Sequence, residues 1–187
     1  MKYLLLITSL LFSIATCTDL HAQRVNLRTN LLLWATTTPN AGVEFSLTRH
    51  FTMVVEGGYN AWKFHNNLKV NLYFAQPEFR YWFCRKFEGH FLGVHGLYAH
   101  FNVGRFPFID SMKDIIYRGD LYGGGISYGY HWVLHPRFSV EATVGAGYIR
   151  MEYDKYRCFD CAERLGQYRR DYFGPTRAAV SLIYFIR

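Results

Sequence analysis

The sequence predicts an all-β fold, a single eight-stranded antiparallel up-and-down β-barrel of outer-membrane type. Three observations carry that expectation. Between Phe138 and Tyr148, and between Tyr122 and Leu134, large apolar residues alternate with glycine, serine and other small or polar residues, the period of a sheet with two unlike faces. These segments follow an N-terminal export signal. Aromatic residues make up 19% of the chain, with 15 Tyr and 16 Phe, as in the girdles where a barrel wall meets lipid headgroups.

The signal is Met1 to Ala22: Lys2 supplies the positive start, Leu4 to Ala15 the apolar run, and Leu20-His21-Ala22 a small-residue exit before Gln23. The run is too short to cross a bilayer as a helix, and no later segment offers the ~18 continuous apolar residues that a membrane helix needs. Cys17 follows Ile14-Ala15-Thr16, a poor match to the leader of a lipidated cysteine. Residues 23–187 then form one barrel domain.

Turn signals cut that domain into eight strands. The first runs from Val25 to Thr36, and the second from Asn40 to Arg49, with Ala41, Val43, Phe45 and Leu47 opposite Gly42, Glu44, Ser46 and Thr48. Thr52 to Trp62 is the third. The fourth is Leu68 to Phe83, where Gln76-Pro77 marks an expected bulge at a change of phase. His90 to Gly104, with the least regular alternation, is the fifth. In the sixth, Leu121 to Leu134, the residues Tyr122, Ile126, Tyr128, Tyr130 and Trp132 oppose Gly123, Gly125, Ser127, Gly129 and His131. The seventh is Phe138 to Tyr153, and the eighth, Thr176 to Ile186, turns Val180, Leu182, Tyr184 and Ile186 to one side. Bulky groups facing lipid and small ones facing a cramped interior are what a small membrane barrel requires.

Links after even-numbered strands are short, near His50, Lys86 and Pro136, and two links after odd-numbered strands are long. Outer-membrane barrels have that asymmetry, with short periplasmic turns and long outer loops. The competing architecture is a soluble periplasmic lipocalin-like ligand-binding barrel, whose bulky apolar face would point inward. Glycine-rich faces make poor solvent faces, which favours the membrane barrel.

The motifs Gln76-Pro77-Glu78 with Arg80-Tyr81-Trp82, Gly89-His90-Phe91, Gly124-Gly125-Ile126-Ser127-Tyr128-Gly129-Tyr130, Tyr153-Asp154-Lys155-Tyr156 with Cys158 and Cys161, and Tyr172-Phe173-Gly174-Pro175-Thr176 form a specific set. On these motifs the chain resembles the domain of unknown function three-five-seven-five, a family of secreted proteins of Bacteroidota. The resemblance implies an outer-membrane-barrel-like protein whose gene often sits near fimbrillin-type genes. It implies no activity.

The face assignments turn Arg28, Glu44, Glu56, Glu78, Arg80 and Glu141 into the lumen. Eight strands leave an interior filled by side chains, so these charges are expected to pair as a structural plug, since unpaired ions there would carry several kcal/mol of desolvation each. Cys158 and Cys161, a Cys-x-x-Cys in the last long loop, lack the further ligands that a zinc site needs and the βα context of a redox dithiol. An oxidising compartment makes a loop disulfide the default. Cys84 is left over, as an inert wall or turn residue.

The net charge of +7 is concentrated in the expected outer loops: Arg105, Lys113 and Arg118 in one, Lys155, Arg157, Arg164, Arg169 and Arg170 in the other. Arginine suits bidentate phosphate contact, so Arg157, Arg164, Arg169 and Arg170 are candidate contacts to outer-membrane lipid, to lipopolysaccharide phosphates, or to a fimbrial or other surface protein. No nucleic-acid-binding motif and no cofactor motif is present. A lipid-modifying outer-membrane enzyme would need a serine, a histidine and an acid together. Ser127, His131 and Glu141 supply the residue types, but on a face turned into the lumen. The functional expectation is a non-enzymatic barrel with a structural or surface-interaction role.

Overall fold

The computed structural model describes residues 25–63, 69–104, 116–156 and 164–186. Eight antiparallel strands close into one barrel in sequence order: β1 (Val25–Asn30), β2 (Asn40–Ser46), β3 (Phe51–Lys63), β4 (Lys69–Trp82), β5 (Gly89–Gly104), β6 (Ile116–His135), β7 (Phe138–Tyr156) and β8 (Arg164–Ile186). β1 closes on β8 from Val25↔Ile186 to Asn30↔Ser181. Short turns after β2, β4 and β6 share one end with Val25 and Ile186, and the longer connections share the other. We call these the turn end and the loop end. The expected export signal, Met1 to Ala22, lies outside the described residues, as do Arg105, Lys113, Arg157, Cys158 and Cys161.

The first strand is shorter than its sequence predicts. It stops at Asn30, whose side chain caps a one-and-a-half-turn helix, α1 (Leu31–Ala35), by accepting from Leu32 N at 3.0 Å. Thr37 takes a left-handed φ of 58°, and the chain re-enters the sheet at Asn40. There Asn30 N donates to Asn40 Oδ1 at 2.7 Å and Asn40 Nδ2 donates to Asn30 O at 3.0 Å, so one side chain replaces a rung of the ladder across the excursion. Three consecutive leucines with no alternation favour the helix once asparagine has capped it.

A second difference lies in β4. The expected bulge at Gln76-Pro77 does not form: Val55 faces Pro77 in the same register that pairs Phe51 with Tyr81, and the β4–β5 register is equally constant. What changes is the character of the inner face. Even-numbered β4 residues point inward throughout, but Leu72 and Phe74 give way to Gln76, Glu78 and Arg80, which are all buried. β5 behaves alike, passing from Phe101, Ala99 and Leu97 to His95. The lumen is therefore mainly apolar toward the loop end, with Lys155 and Arg170 near its mouth, and charged and buried toward the turn end.

The outer face inverts correspondingly. Toward the turn end it is apolar: Val94, Ile126, Val144 and Leu134 are each 63–69% exposed. Toward the loop end it carries Asp120, Arg150, Glu152, Arg169 and Asp171, whose side chains reach solvent. Because that outer part has an aqueous-type pattern, β7 and β8 continue as a paired ribbon well past the expected strand ends. Arg164, Arg169 and Arg170 accordingly belong to strand β8 and not to a loop.

The glycines of β6 and β7 do more than leave room in the lumen. A Cβ on Gly125 would lie 2.8 Å from Gly147 Cα, and one on Gly123 2.8 Å from Ile149 Cα. These strands approach too closely for any side chain at those positions.

Candidate functional site

The turn-end half of the lumen holds a single ionic network, supplied by inward residues of six strands. Arg28 of β1 donates to Glu44 of β2 at 3.3 Å, to Ser181 of β8 at 3.2 Å, and more closely to Glu141 of β7. Arg80 of β4 donates through its two terminal nitrogens to the two oxygens of Glu141, at 2.9 and 3.0 Å, and through Nε to Glu78 at 2.7 Å. Its guanidinium also lies 3.6 Å from Glu44 and stacks over the Phe91 ring at 4.3 Å. Asn26 and Thr52 donate to Glu44 at 3.1 and 2.7 Å, Thr143 donates to Glu141 at 2.9 Å, and Ser127 donates to Glu78. These carboxylates accept several bonds each, which is what makes their burial tolerable.

Arg28, Glu44, Glu56, Glu78, Arg80 and Glu141 are all buried in one interior, but they do not balance alone. Arg177 of β8, outside the expected set, donates to Glu56 at 2.8 Å and lies 3.4 Å from Glu78. Its parity matches that of Ala179 and Ser181, and that signal could have found it. Asn26 and His95 are likewise buried inward residues outside the expected set. Among the described buried residues, four carboxylates face three guanidiniums.

Below the network, the turn end is sealed by an aromatic plug. Trp82, Phe87 and Phe91 are buried together, with Phe185 packed against them. Phe87 comes from the β4–β5 turn, where a left-handed φ of 63° folds it back under the barrel. Trp82 packs 4.9 Å from Phe91 and 5.6 Å from His131 between ring centroids, and its indole donates to Thr52 at 2.9 Å.

The serine, histidine and acid considered for lipid chemistry are not assembled as a triad. His131 Nδ1 is 3.5 Å from Glu141, whereas the Ser127 hydroxyl is bonded to Glu78. All of them are buried. Among the described residues, no group of three or more His, Cys, Asp or Glu side chains could hold a metal ion. Cys84 is an exposed free thiol in the β4–β5 turn.

On the outside, Tyr59, Tyr73, Tyr98, Tyr122, Tyr148 and Phe173 follow one another across β3 to β8 as an exposed aromatic row. Three of their hydroxyls donate to a carboxylate on the next strand, on the loop-end side: Tyr98 to Asp120 at 3.0 Å, Tyr122 to Glu152 at 3.1 Å and Tyr148 to Asp171 at 2.6 Å. A second row, including Phe51, Tyr81, Phe83, Trp132, Phe138 and Tyr184, rings the turn end. Arg169, one of the candidate phosphate contacts, lies 3.0 Å from Glu152 and is 64% exposed at its side chain.

The family model described as "Protein of unknown function (DUF3575)" matches residues 8–186. No curated protein matches the chain.

Proposed function

We propose for this chain, which belongs to the DUF3575 family, a role as a non-enzymatic outer-membrane barrel that presents its loop end at the cell surface to a partner. One observation carries the membrane reading: an unbroken apolar belt between two aromatic rows. From Tyr122 to Trp132 on β6, and from Tyr148 to Phe138 on β7, the rows lie ten residues apart. At ~3.4 Å per residue and a ~40° tilt this spans about 26 Å, against the ~25 Å apolar band of outer-membrane barrels. A solvent-facing barrel would leave that belt in water, far beyond the apolar patches tolerated by soluble monomers. No helix among the described residues is long and apolar enough to cross a membrane, which has no bearing on a crossing by strands.

In this orientation the export signal delivers the chain, the turn end with its aromatic plug faces the periplasm, and the tyrosine–carboxylate row lies at the outer headgroups. The ion pairs and tyrosines beyond it form the surface that meets anionic glycolipid or a fimbrial or adhesive partner, with Arg169 on the outer row and Arg170 at the mouth of the inner row as cationic contributors among the described side chains. Gel mobility of the outer-membrane fraction, boiled against unboiled, tests the anchor: a folded membrane barrel stays compact in cold detergent and shifts on heating. Recovery in the soluble periplasm without a shift would refute it. Normal fimbriation and adhesion in a deletion strain would refute the surface-partner role.

A further inference from the structure

The loop-end half of the lumen differs from the plugged half in its lining, its floor and its wall. Its inward row is mainly apolar, with Leu72, Phe74, Leu97, Phe101, Leu121 and Ile149 all partly accessible and the accessible cations Lys155 and Arg170 only near its mouth, whereas the inward charged residues of the turn half are almost fully buried. At its floor, four strands bring together five of the nine described buried polar atoms that have no hydrogen-bond partner, Glu56 Oε1, Gln76 Nε2, His95 Nδ1, and Arg177 Nε and Nη1; the other four, Asn26 Oδ1, Arg28 Nε, His131 Nε2 and Ser139 Oγ, are scattered through the turn half. Unpaired buried groups of this kind are costly, and native interiors seldom keep several at one level.

The wall is incomplete at the same level. β1 stops at Asn30↔Ser181 and β2 starts at Asn40↔Gly58. The link between them is tied to β3 by Tyr59 N donating to Pro39 O at 3.1 Å and Asn60 Nδ2 donating to Thr38 Oγ1 at 3.0 Å. Loop-ward of this, among the described residues, no strand pairs with the edge of β3 that β2 leaves or with the edge of β8 that β1 leaves. The consequence shows on β8: Tyr168 and Tyr172, paired with Tyr153 and Ile149 of the inward row, are 43% and 39% exposed. Phe173, on the outer face beside this notch, is 82% exposed.

From these features we infer that the loop-end lumen binds an uncharged single-chain amphiphile, its carbonyl head on the floor and its acyl chain along the apolar wall, entering through the notch between β3 and β8. The free floor groups are chiefly donors, from Arg177 and Gln76, so the head must accept hydrogen bonds. It must also be neutral. Four buried carboxylates already exceed three guanidiniums, and a further carboxylate would add to that excess. An ester or amide carbonyl meets both conditions.

The test is saturation binding of radiolabelled monopalmitoylglycerol to the full mature barrel in phospholipid nanodiscs, with empty discs as background and palmitate as competitor. One saturable site per barrel is expected, with palmitate competing at least tenfold more weakly. Gln76→Leu removes one donor and should weaken binding about fivefold, from a net hydrogen bond of ~1 kcal/mol. Leu97→Trp fills the chamber and should abolish the site. Retention of the heat-dependent gel shift by both variants separates lost binding from lost folding. Binding no greater than to empty discs, or a site that survives Leu97→Trp, overturns the chamber. Tighter binding of palmitate than of the monoacylglycerol overturns the neutral-head assignment. Only the direction of entry rests on the membrane reading, and a barrel that shows the gel shift but binds nothing refutes this inference alone.

Discussion

The excess of one carboxylate over the guanidiniums buried inside the barrel makes the two partners of the bidentate Arg80–Glu141 pair unequal. Arg80→Met removes a guanidinium lying 2.9 and 3.0 Å from the oxygens of Glu141, 2.6 Å from Glu78 and 3.6 Å from Glu44. Three of the four buried carboxylates lose a cation, and four then face two. Breaking a buried pair from one side costs ~3–5 kcal/mol, and three bereaved carboxylates place this variant at the upper end. Glu141→Gln instead leaves three carboxylates and three guanidiniums. Arg28 keeps Glu44 at 3.3 Å, Arg80 keeps Glu78, and the amide oxygen still accepts a bond. That cost is one or two weakened charged hydrogen bonds, about 2 kcal/mol. With a urea slope of ~2 kcal/mol per M, the midpoints should fall by about 2.5 M and about 1 M respectively. The assay is urea unfolding from lipid vesicles, followed by cold-gel mobility and tryptophan fluorescence. The double variant Arg80→Met/Glu141→Leu should be more stable than Arg80→Met alone, because it removes one of the stranded charges. Equal costs for the two single variants, or the reverse order, would refute the charge-excess argument.

Gly125→Val places side-chain atoms against the Gly147 backbone, where even a Cβ comes within 2.8 Å. It should cost about 3 kcal/mol, the top of the usual overpacking range, and show as loss of the cold-gel compact form. Asn30→Ala removes the α1 cap and the bonds from Asn30 Nδ2 to Ala178 O at 3.2 Å and from Val180 N to Asn30 Oδ1 at 3.3 Å. Its cost should be about 2 kcal/mol by urea titration, while the exposed Thr36→Ala should stay within ~0.5 kcal/mol of the parent. Cys84, in a Cys158→Ser/Cys161→Ser background, should react with a large polyethylene-glycol maleimide only after the outer membrane is permeabilised. Labelling on intact cells would invert the proposed orientation.

How much of this was legible in the chain depends on whether the signal was local or differential. Strand count, order and the outward apolar faces of β6 and β7 follow from strict period-two alternation, which a one-residue slip would destroy. The six expected lumenal charges are likewise read from parity. Two features resist that reading. The departure of α1 is decided by Asn30 acting as a cap inside an apolar run, and apolar runs do not distinguish strand from helix by period. The other is the exchange of faces partway along β4, β5 and β7. Leu72-Phe74 followed by Gln76-Glu78 keeps one parity while hydrophobicity changes sides, and in the sequence alone that looks like a slipped register at Pro77.

The exchange of faces also explains why the loop end is longer than the sequence suggests. A strand that leaves lipid for water can continue as regular sheet only if its outer row turns polar and its inner row turns apolar. Asp120, Arg150, Glu152 and Asp171 outside, with Leu121, Ile149 and Met151 on the opposite row, meet that condition. The barrel thereby joins a half with an apolar outer face to a half with a polar outer face in one continuous sheet, with the tyrosine row at the seam. Residues near Arg177 sit where the two interiors meet. There the charged filling ends with Arg177 Nε and Nη1, Gln76 Nε2, His95 Nδ1 and Glu56 Oε1 still without partners among the described residues, five of the nine buried polar atoms in that condition.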